Sequence, residues 1–326
     1  MSGVVLVTGA AMASSAHVAR TLADLGSLIG ITKVVAVDTT FPAHDLGSAK
    51  FVRADIRTSV IGKIIAVEDV ETVIHMDLSA TRGRAGSAKE FNVIGSMQVM
   101  AACQRSESVR RFVLISNACV YGTSPKDPAV FKEANTARAG VNAGFPKDVV
   151  EVEGYMRGLA RRRPDMVATT LRIAQVVTPQ FSTPLGRYFA NPVLPIPIGF
   201  DARLQFLHPD DGMEAIVKAA TEDQPGTFNV AGEGVLMLSQ AARILGKPVL
   251  PLLPIGFGSS LRSTSKFMGT TLPTDLSRLL TYGRVIDTKA LREEFGFTPK
   301  YSSMDAFNEF AASLRPGVLQ WGGSRW

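Results

Sequence analysis

The chain has 326 residues, 46% hydrophobic and 20% charged, a balance that can bury a sizeable core and argues against disorder. Lys and Arg outnumber Asp and Glu 35 to 29, but the signs are interspersed and no aromatic-rich basic stretch accompanies the excess, which argues against nucleic acid as a partner. No apolar run reaches the roughly 18 residues of a membrane span, and Cys103 and Cys119 lack metal-ligand spacing, so they read as small buried hydrophobes of a reducing, cytoplasmic compartment.

Gly3 to Val7 predicts a buried strand, His17 to Leu25 a helix, and Lys33 to Val37 a second strand ending in Asp38. A strand, a turn, a helix and a strand ending in an acid form the frame in which a dinucleotide ribose is gripped. The turn keeps Gly9 alone of three expected glycines, with Met12 and Ser15 in the other two places. Further strands are predicted over Phe51 to Arg53, over Thr72 to His75, over Arg111 to Ile115 and over Val167 to Ile173. Helices are predicted over Ser59 to Ala66, Lys89 to Arg105 and Lys147 to Arg162, the last with Pro146 in its first turn. Arg161-Arg162-Arg163 reads as a helix C-terminus, where cations suit the macrodipole. Beyond residue 178 the prolines at 179, 184, 192, 195 and 197 cut the chain into short pieces. Brief strands are expected near Leu204 to Leu207 and Phe228 to Val230, and helices over Asp211 to Ala220 and Leu236 to Leu245. The alternation predicts an α/β fold: a Rossmann-type doubly wound parallel sheet over residues 1–178, then a smaller substrate lobe over 179–326 interleaved with the end of the sheet.

A series of short motifs carries a family resemblance. They are Val7-Thr8-Gly9, Asp38, Asp55-Ile56-Arg57, Val73-Ile74-His75, Asn92-Val93, Val120-Tyr121-Gly122, Leu171-Arg172, Phe206-Leu207-His208, Thr227-Phe228-Asn229-Val230 and Asp287-Thr288-Lys289, with Phe295-Gly296-Phe297-Thr298-Pro299-Lys300 closing the series. In this order they resemble the extended short-chain dehydrogenase/reductases, in their NAD-dependent epimerase/dehydratase branch. The stretch from Gly144 to Tyr155 is similar to actinobacterial members labelled UDP-glucose 4-epimerases. The resemblance implies NAD as cofactor, bordered by Gly9, Met12, Ala13, Asp38, Asp55, Ile56, Met76, Asp77, Leu78, Asn92 and Lys147. It also implies a small-molecule substrate and a homodimer paired through Lys89–Arg105 and Lys147–Arg162.

The same resemblance implies a Tyr-x-x-x-Lys pair and a partner Ser or Thr as acid/base. Lys147 fits the lysine, with Glu151 one turn later, but Ala143 stands at the tyrosine and Asn117 at the serine. An amide donates hydrogen bonds but is no acid. Catalytic candidates are therefore Lys147, Asn117 and Tyr121, with Tyr155 as a further phenol. Substrate contacts are expected from Asn117, Gln175 and Arg203. The expected function is an NAD-dependent epimerase/dehydratase-like protein acting on a nucleotide sugar or related hydroxylated metabolite through an altered site. A catalytically silent ligand-binding protein and a cofactor-independent isomerase or lyase are the alternatives. His208, Asp210 and Asp211 read as capping and turn groups, not as a metal site. Lys247 to Lys266, with three bases and no acid, reads as a lid of the substrate lobe, with weak contact to a membrane surface as a second reading.

Overall fold

The computed structural model describes residues 3–80, 87–135, 144–267, 275–314 and 317. In chain order the elements are β1 (Val4–Thr8), α1 (Ala13–Ile29), β2 (Lys33–Asp38), β3 (Lys50–Arg53), α2 (Val60–Val67), β4 (Val70–His75) and α3 (Ser87–Lys89). A π-helical segment (Glu90–Gly95) leads into α4 (Ser96–Arg105), β5 (Arg111–Asn117), α5 (Gly144–Arg162) and β6 (Val167–Ile173). The second half adds β7 (Gln175–Val176), α6 (Pro184–Ala190), β8 (Leu194–Pro197), β9 (Arg203–Leu204), β10 (Phe206–Leu207), α7 (Pro209–Thr221) and β11 (Gly226–Val230). It ends with β12 (Leu236–Met237), α8 (Leu238–Ile244), β13 (Val249–Leu252), α9 (Phe257–Phe267), α10 (Leu276–Tyr282), α11 (Lys289–Glu293) and α12 (Ser303–Ser313).

Seven strands form the main sheet in the order β11-β6-β5-β4-β1-β2-β3. The pairings from β3 through β2, β1 and β4 to β5 are parallel. Strands buried on both faces need near-continuous apolar sequence, and Val5, Leu6, Val7, Val35, Val37 and Val73 meet that need with almost no exposure. Strand order reverses at β1, flanked by β2 and β4. In open α/β sheets that reversal opens a crevice at the carboxyl ends of the strands.

Contacts divide the chain into two compact units. Unit 1 comprises 1–120, 139–172 and 213–228; unit 2 comprises 121–138, 173–212 and 229–326. The core of unit 1 packs Leu6, Val35, Ile56, Ile61, Val99, Cys103, Phe112, Val152, Met156 and Leu159 between sheet and helices. Unit 2 is built around aromatics: Phe307 meets Phe189 edge-on at 5.0 Å and Phe206 at 5.3 Å. Its strands are short because Pro195 and Pro197 remove ladder donors, leaving two-stranded pairs such as β13–β8 and β12–β9.

Both cysteines are buried and unbridged, and burial pushes the Cys103 thiol up to about 12. The arginine triplet also has its physical role. Helix α5 ends on Arg161 and Arg162. Arg163 donates to the carbonyls of Cys103 (2.9 Å), Ser106 (2.7 Å) and Val109 (3.1 Å), satisfying acceptors that the end of α4 leaves open.

Candidate functional site

The turn after β1 is shaped by Gly9 at φ +79°. A Cβ there would lie 2.9 Å from the Met12 methyl carbon and 3.1 Å from Asp77 Cα, so the turn admits only glycine. The Met12 thioether thus folds back over Gly9. Met12 is also the N-cap of α1, without a side-chain cap and with no acid in the first turn. A serine or aspartate would close the helix start onto itself; methionine leaves the backbone donors open to an outside anion. Ala13 begins the helix, and Ser15 is fully buried at its inner face, its hydroxyl without a hydrogen-bond partner among the described residues.

Asp38 ends β2, almost wholly buried. Its carboxylate accepts from Ala11 N at 3.0 Å and Thr40 N at 3.2 Å, which locks it against the glycine turn. At the next strand end Asp55 is clasped by the Arg57 guanidinium (2.6 Å), which itself lies 3.9 Å over the Phe91 ring. Ile56 points into the core and lies so close to Gly95 that a Cβ there would sit 2.7 Å from its Cδ1.

The end of β4 is held by a directional hydrogen-bond chain. Met76 N donates to Thr8 Oγ1 (3.1 Å), and Thr8 pairs with His75 Nδ1 (2.8 Å). His75 Nε2 meets Ser96 Oγ (2.7 Å), and Ser96 donates to Asn92 O. With the Ser96 proton directed at a carbonyl, Nε2 carries the imidazole hydrogen and Nδ1 accepts. His75 is thereby neutral, and burial pushes its pKa down to about 3. Asn92, expected to border the cofactor, has its amide engaged elsewhere. It binds Ser79 N (3.0 Å), Ser79 O (3.1 Å) and Asp148 Oδ2 (3.0 Å), so it positions the segment Met76-Asp77-Leu78 instead of offering a free amide. It does so from a π-helical turn, a form that recurs at functional sites.

At the end of β5, Asn117 Oδ1 accepts from Cys119 N at 2.8 Å, and its Nδ2 has no partner among the described residues. Lys147 is exposed, while the helix buries Pro146, Asp148, Val149, Val152, Glu153, Met156 and Leu159. One and two turns beyond Lys147 stand Glu151 and Tyr155, both half-buried. The Lys147 ammonium is thus open to a ligand as well as to water. The acid that does reach inward is Glu153. It takes Ser116 Oγ at 2.6 Å and the Arg172 guanidinium at 2.7 and 3.0 Å, all three groups being buried. Counting back by turns, the positions in line with Glu153 are Val149 and Phe145. Ala143 lies outside the described residues. Tyr155 donates to Glu151 (3.1 Å), and burial with that carboxylate raises its pKa, the wrong direction for a base.

In unit 2, Tyr121 differs from expectation as well. It is 1% exposed, donates to Asn229 Oδ1 at 2.7 Å and stacks on Phe131 at 4.8 Å, so it is a pillar of that unit without a free hydroxyl for proton transfer. Gln175 is half-buried on β7. Arg203 is exposed on β9 and donates to Ala129 O at 2.9 Å; Leu204, beside it, is buried. Asp211 accepts from Lys300 N (2.8 Å) and Tyr301 N (3.0 Å), and His208 pairs with Glu309 (2.9 Å) and stacks on Tyr301. These contacts tie the segment to residues 300–309, while the local turn bond is Asp210 N to His208 Nδ1 at 3.2 Å. Glu153 was missed in the sequence because its spacing from Lys147 suggested Glu151; the apolar line Val149-Val152-Met156-Leu159 was the available signal.

The model of the NAD dependent epimerase/dehydratase family matches residues 5–231. An uncharacterised protein of Mycobacterium tuberculosis, Rv0501, is 43% identical over 318 residues, covering 94% of this chain and 83% of its own length. Among solved structures, MoeE5 in complex with UDP-glucuronic acid and NAD aligns with a TM-score of 0.73 at 20% identity, covering 95% of this chain and 98% of that one. DesIV, a dTDP-glucose 4,6-dehydratase from Streptomyces venezuelae with NAD and TYD bound, aligns with a TM-score of 0.73 at 17% identity, covering 95% and 96%.

Proposed function

Because the chain belongs to the NAD-dependent epimerase/dehydratase family, we propose that it holds NAD at the carboxyl edge of the unit 1 sheet and recognises a nucleotide sugar or a related hydroxylated metabolite. In this reading residues 1–178 serve the cofactor and 179–326, through Gln175 just before them and Arg203, the substrate. The observation that carries the proposal is the buried Asp38 carboxylate locked beside the open start of α1. A carboxylate there accepts from a ribose 2′-hydroxyl and repels a 2′-phosphate, which favours NAD over NADP. The open amides at the start of α1 suit the diphosphate. The one obstacle is the Met12 methyl over Gly9, and a side chain with three rotatable bonds can leave that position. The adenosine and diphosphate ends therefore fit the dinucleotide.

When bound, NAD supplies a hydride acceptor. The chain's own groups supply little proton transfer. Ala143 stands where the proton-carrying tyrosine is expected, Lys147 remains the group expected to orient the ribose, and Asn117 offers an amide donor to orient a substrate oxygen. Without an acid/base, turnover falls by about 10²–10⁴-fold relative to an intact relay. The same residues favour a second reading, in which the cleft binds its ligands without converting them. We also propose a homodimer paired through Lys89–Arg105 and Lys147–Arg162, since Ile94, in the π-helical segment, and Met97, on α4, remain exposed.

Thermal unfolding with added nucleotides tests the proposal. NAD at about 100 times its dissociation constant stabilises by about 2.7 kcal/mol, and Asp38→Ala loses most of that gain. No shift with NAD or NADH refutes it. Conversion of UDP-glucose by the NAD-loaded protein, followed chromatographically, separates slow turnover from silent binding.

A further inference from the structure

Between Gly234 and Thr274 the chain has no aspartate or glutamate, over a stretch containing Arg243, Lys247, Arg262 and Lys266. Lys247 is buried, its ammonium donating to Phe189 O, and the other three cations are exposed. The described part of this stretch carries an apolar tip in unit 2. Val249 and Leu250 are exposed on β13, and beyond it Leu253 is 71% and Ile255 94% exposed. Ile198, half exposed at the end of β8, donates through its backbone to Leu252 O at 2.9 Å and so extends the tip sideways. Immediately after the tip, Phe257 and Leu261 anchor α9 in the unit 2 core, while Ser259, Ser260, Arg262, Ser263 and Lys266 stay exposed.

From this juxtaposition we infer that the β13–α9 tip docks on an anionic phospholipid surface. Leu253, Ile255 and Ile198 enter the headgroup boundary, and Arg262 and Lys266 meet lipid phosphates. Isolated exposed aliphatic side chains are ordinary on a protein surface, but a contiguous group beside cations marks an interaction site. The charge pattern selects the occupant. A second copy joined across a two-fold axis would bring like cations together with no acid in the stretch to neutralise them. An anionic leaflet neutralises them and accepts aliphatic side chains without requiring a matching groove. The inference is independent of what the cleft of unit 1 binds.

Co-sedimentation of the full chain with vesicles is the test, comparing phosphatidylcholine alone with phosphatidylcholine mixed with phosphatidylglycerol. Binding is expected on the mixed vesicles only, weakening as salt rises. Arg262→Gln and Lys266→Gln are each expected to weaken it by about fivefold, and Leu253→Asp with Ile255→Asp to remove it. The melting temperature is expected to stay unchanged, because all four side chains are exposed or lie beyond the core. Equal binding to both vesicle types, or no binding to either, overturns the inference. Light scattering in which the Leu253→Asp, Ile255→Asp variant splits a dimer overturns it too, by assigning the tip to a second copy.

Discussion

Met12 decides how readily the proposed nucleotide site is entered. Its methyl lies over Gly9, so nucleotide binding must first order that side chain elsewhere. Immobilising a rotamer-rich side chain costs about 0.5–1.5 kcal/mol. Met12→Gly is therefore expected to tighten NAD by about two- to tenfold in calorimetry, and glycine is an acceptable N-cap. Weaker binding in that variant would show that the thioether assists the ligand. His75 makes a different kind of prediction. Its folded pKa of about 3 lies below the ordinary value of 6.5, because burial and the acceptor role of Nδ1 disfavour the cation. The unfolded chain binds a proton that the folded chain refuses. Stability from this group is thus present above about pH 6.5 and lost as pH falls below it, by about 1.4 kcal/mol per pH unit. Urea melts at pH 7.5 and 5.5 should differ by roughly that amount, and His75→Gln should remove this part of the difference. An unchanged slope in the variant would sink the assignment.

At the level of elements, α5 is oriented by what it buries. The line Val149, Val152, Met156, Leu159 sets its apolar face, and Glu153 adds a polar anchor to β5 through Ser116 and to β6 through Arg172. Breaking a buried ion pair from one side costs about 3–5 kcal/mol, since the remaining charge stays uncompensated. Glu153→Ala should lose that much in denaturant melts, and Glu153→Leu with Arg172→Met should recover a large part of it. A loss below about 1 kcal/mol would mean that α5 is held by its apolar face alone. The orientation also explains why Glu151 was legible from motif spacing but the buried Glu153 was not. Motif spacing records distance along the chain, whereas the side a residue faces follows from every buried position on the helix. Asn92 illustrates the same limit: its motif was readable, its three hydrogen bonds were not.

At the scale of the molecule, the outer faces of α4 and α5 bear on assembly. Ile94 is 41% exposed on the π-helical segment and Met97 37% on α4, whose inner face packs with α5 in the unit 1 core. An interface of standard size buries about 800 Å² per partner, and charges placed in its centre oppose it. Light scattering on an eluting column is expected to give a dimer, and Ile94→Lys with Met97→Lys a monomer. A wild-type monomer would remove the proposal.

The succession of strands and helices along residues 1–178 was determined by sequence alone, because a doubly buried strand must be apolar throughout and a helix must repeat its apolar face every three to four residues. Asp38 and Gly9 were legible for a related reason, since each sits at a strand end whose backbone geometry admits few residue types. The partners of Tyr121, Asn92 and Glu153 were decided only by tertiary structure. A polar side chain's role depends on which partners, distant in sequence, reach it first, and those encounters are fixed by packing.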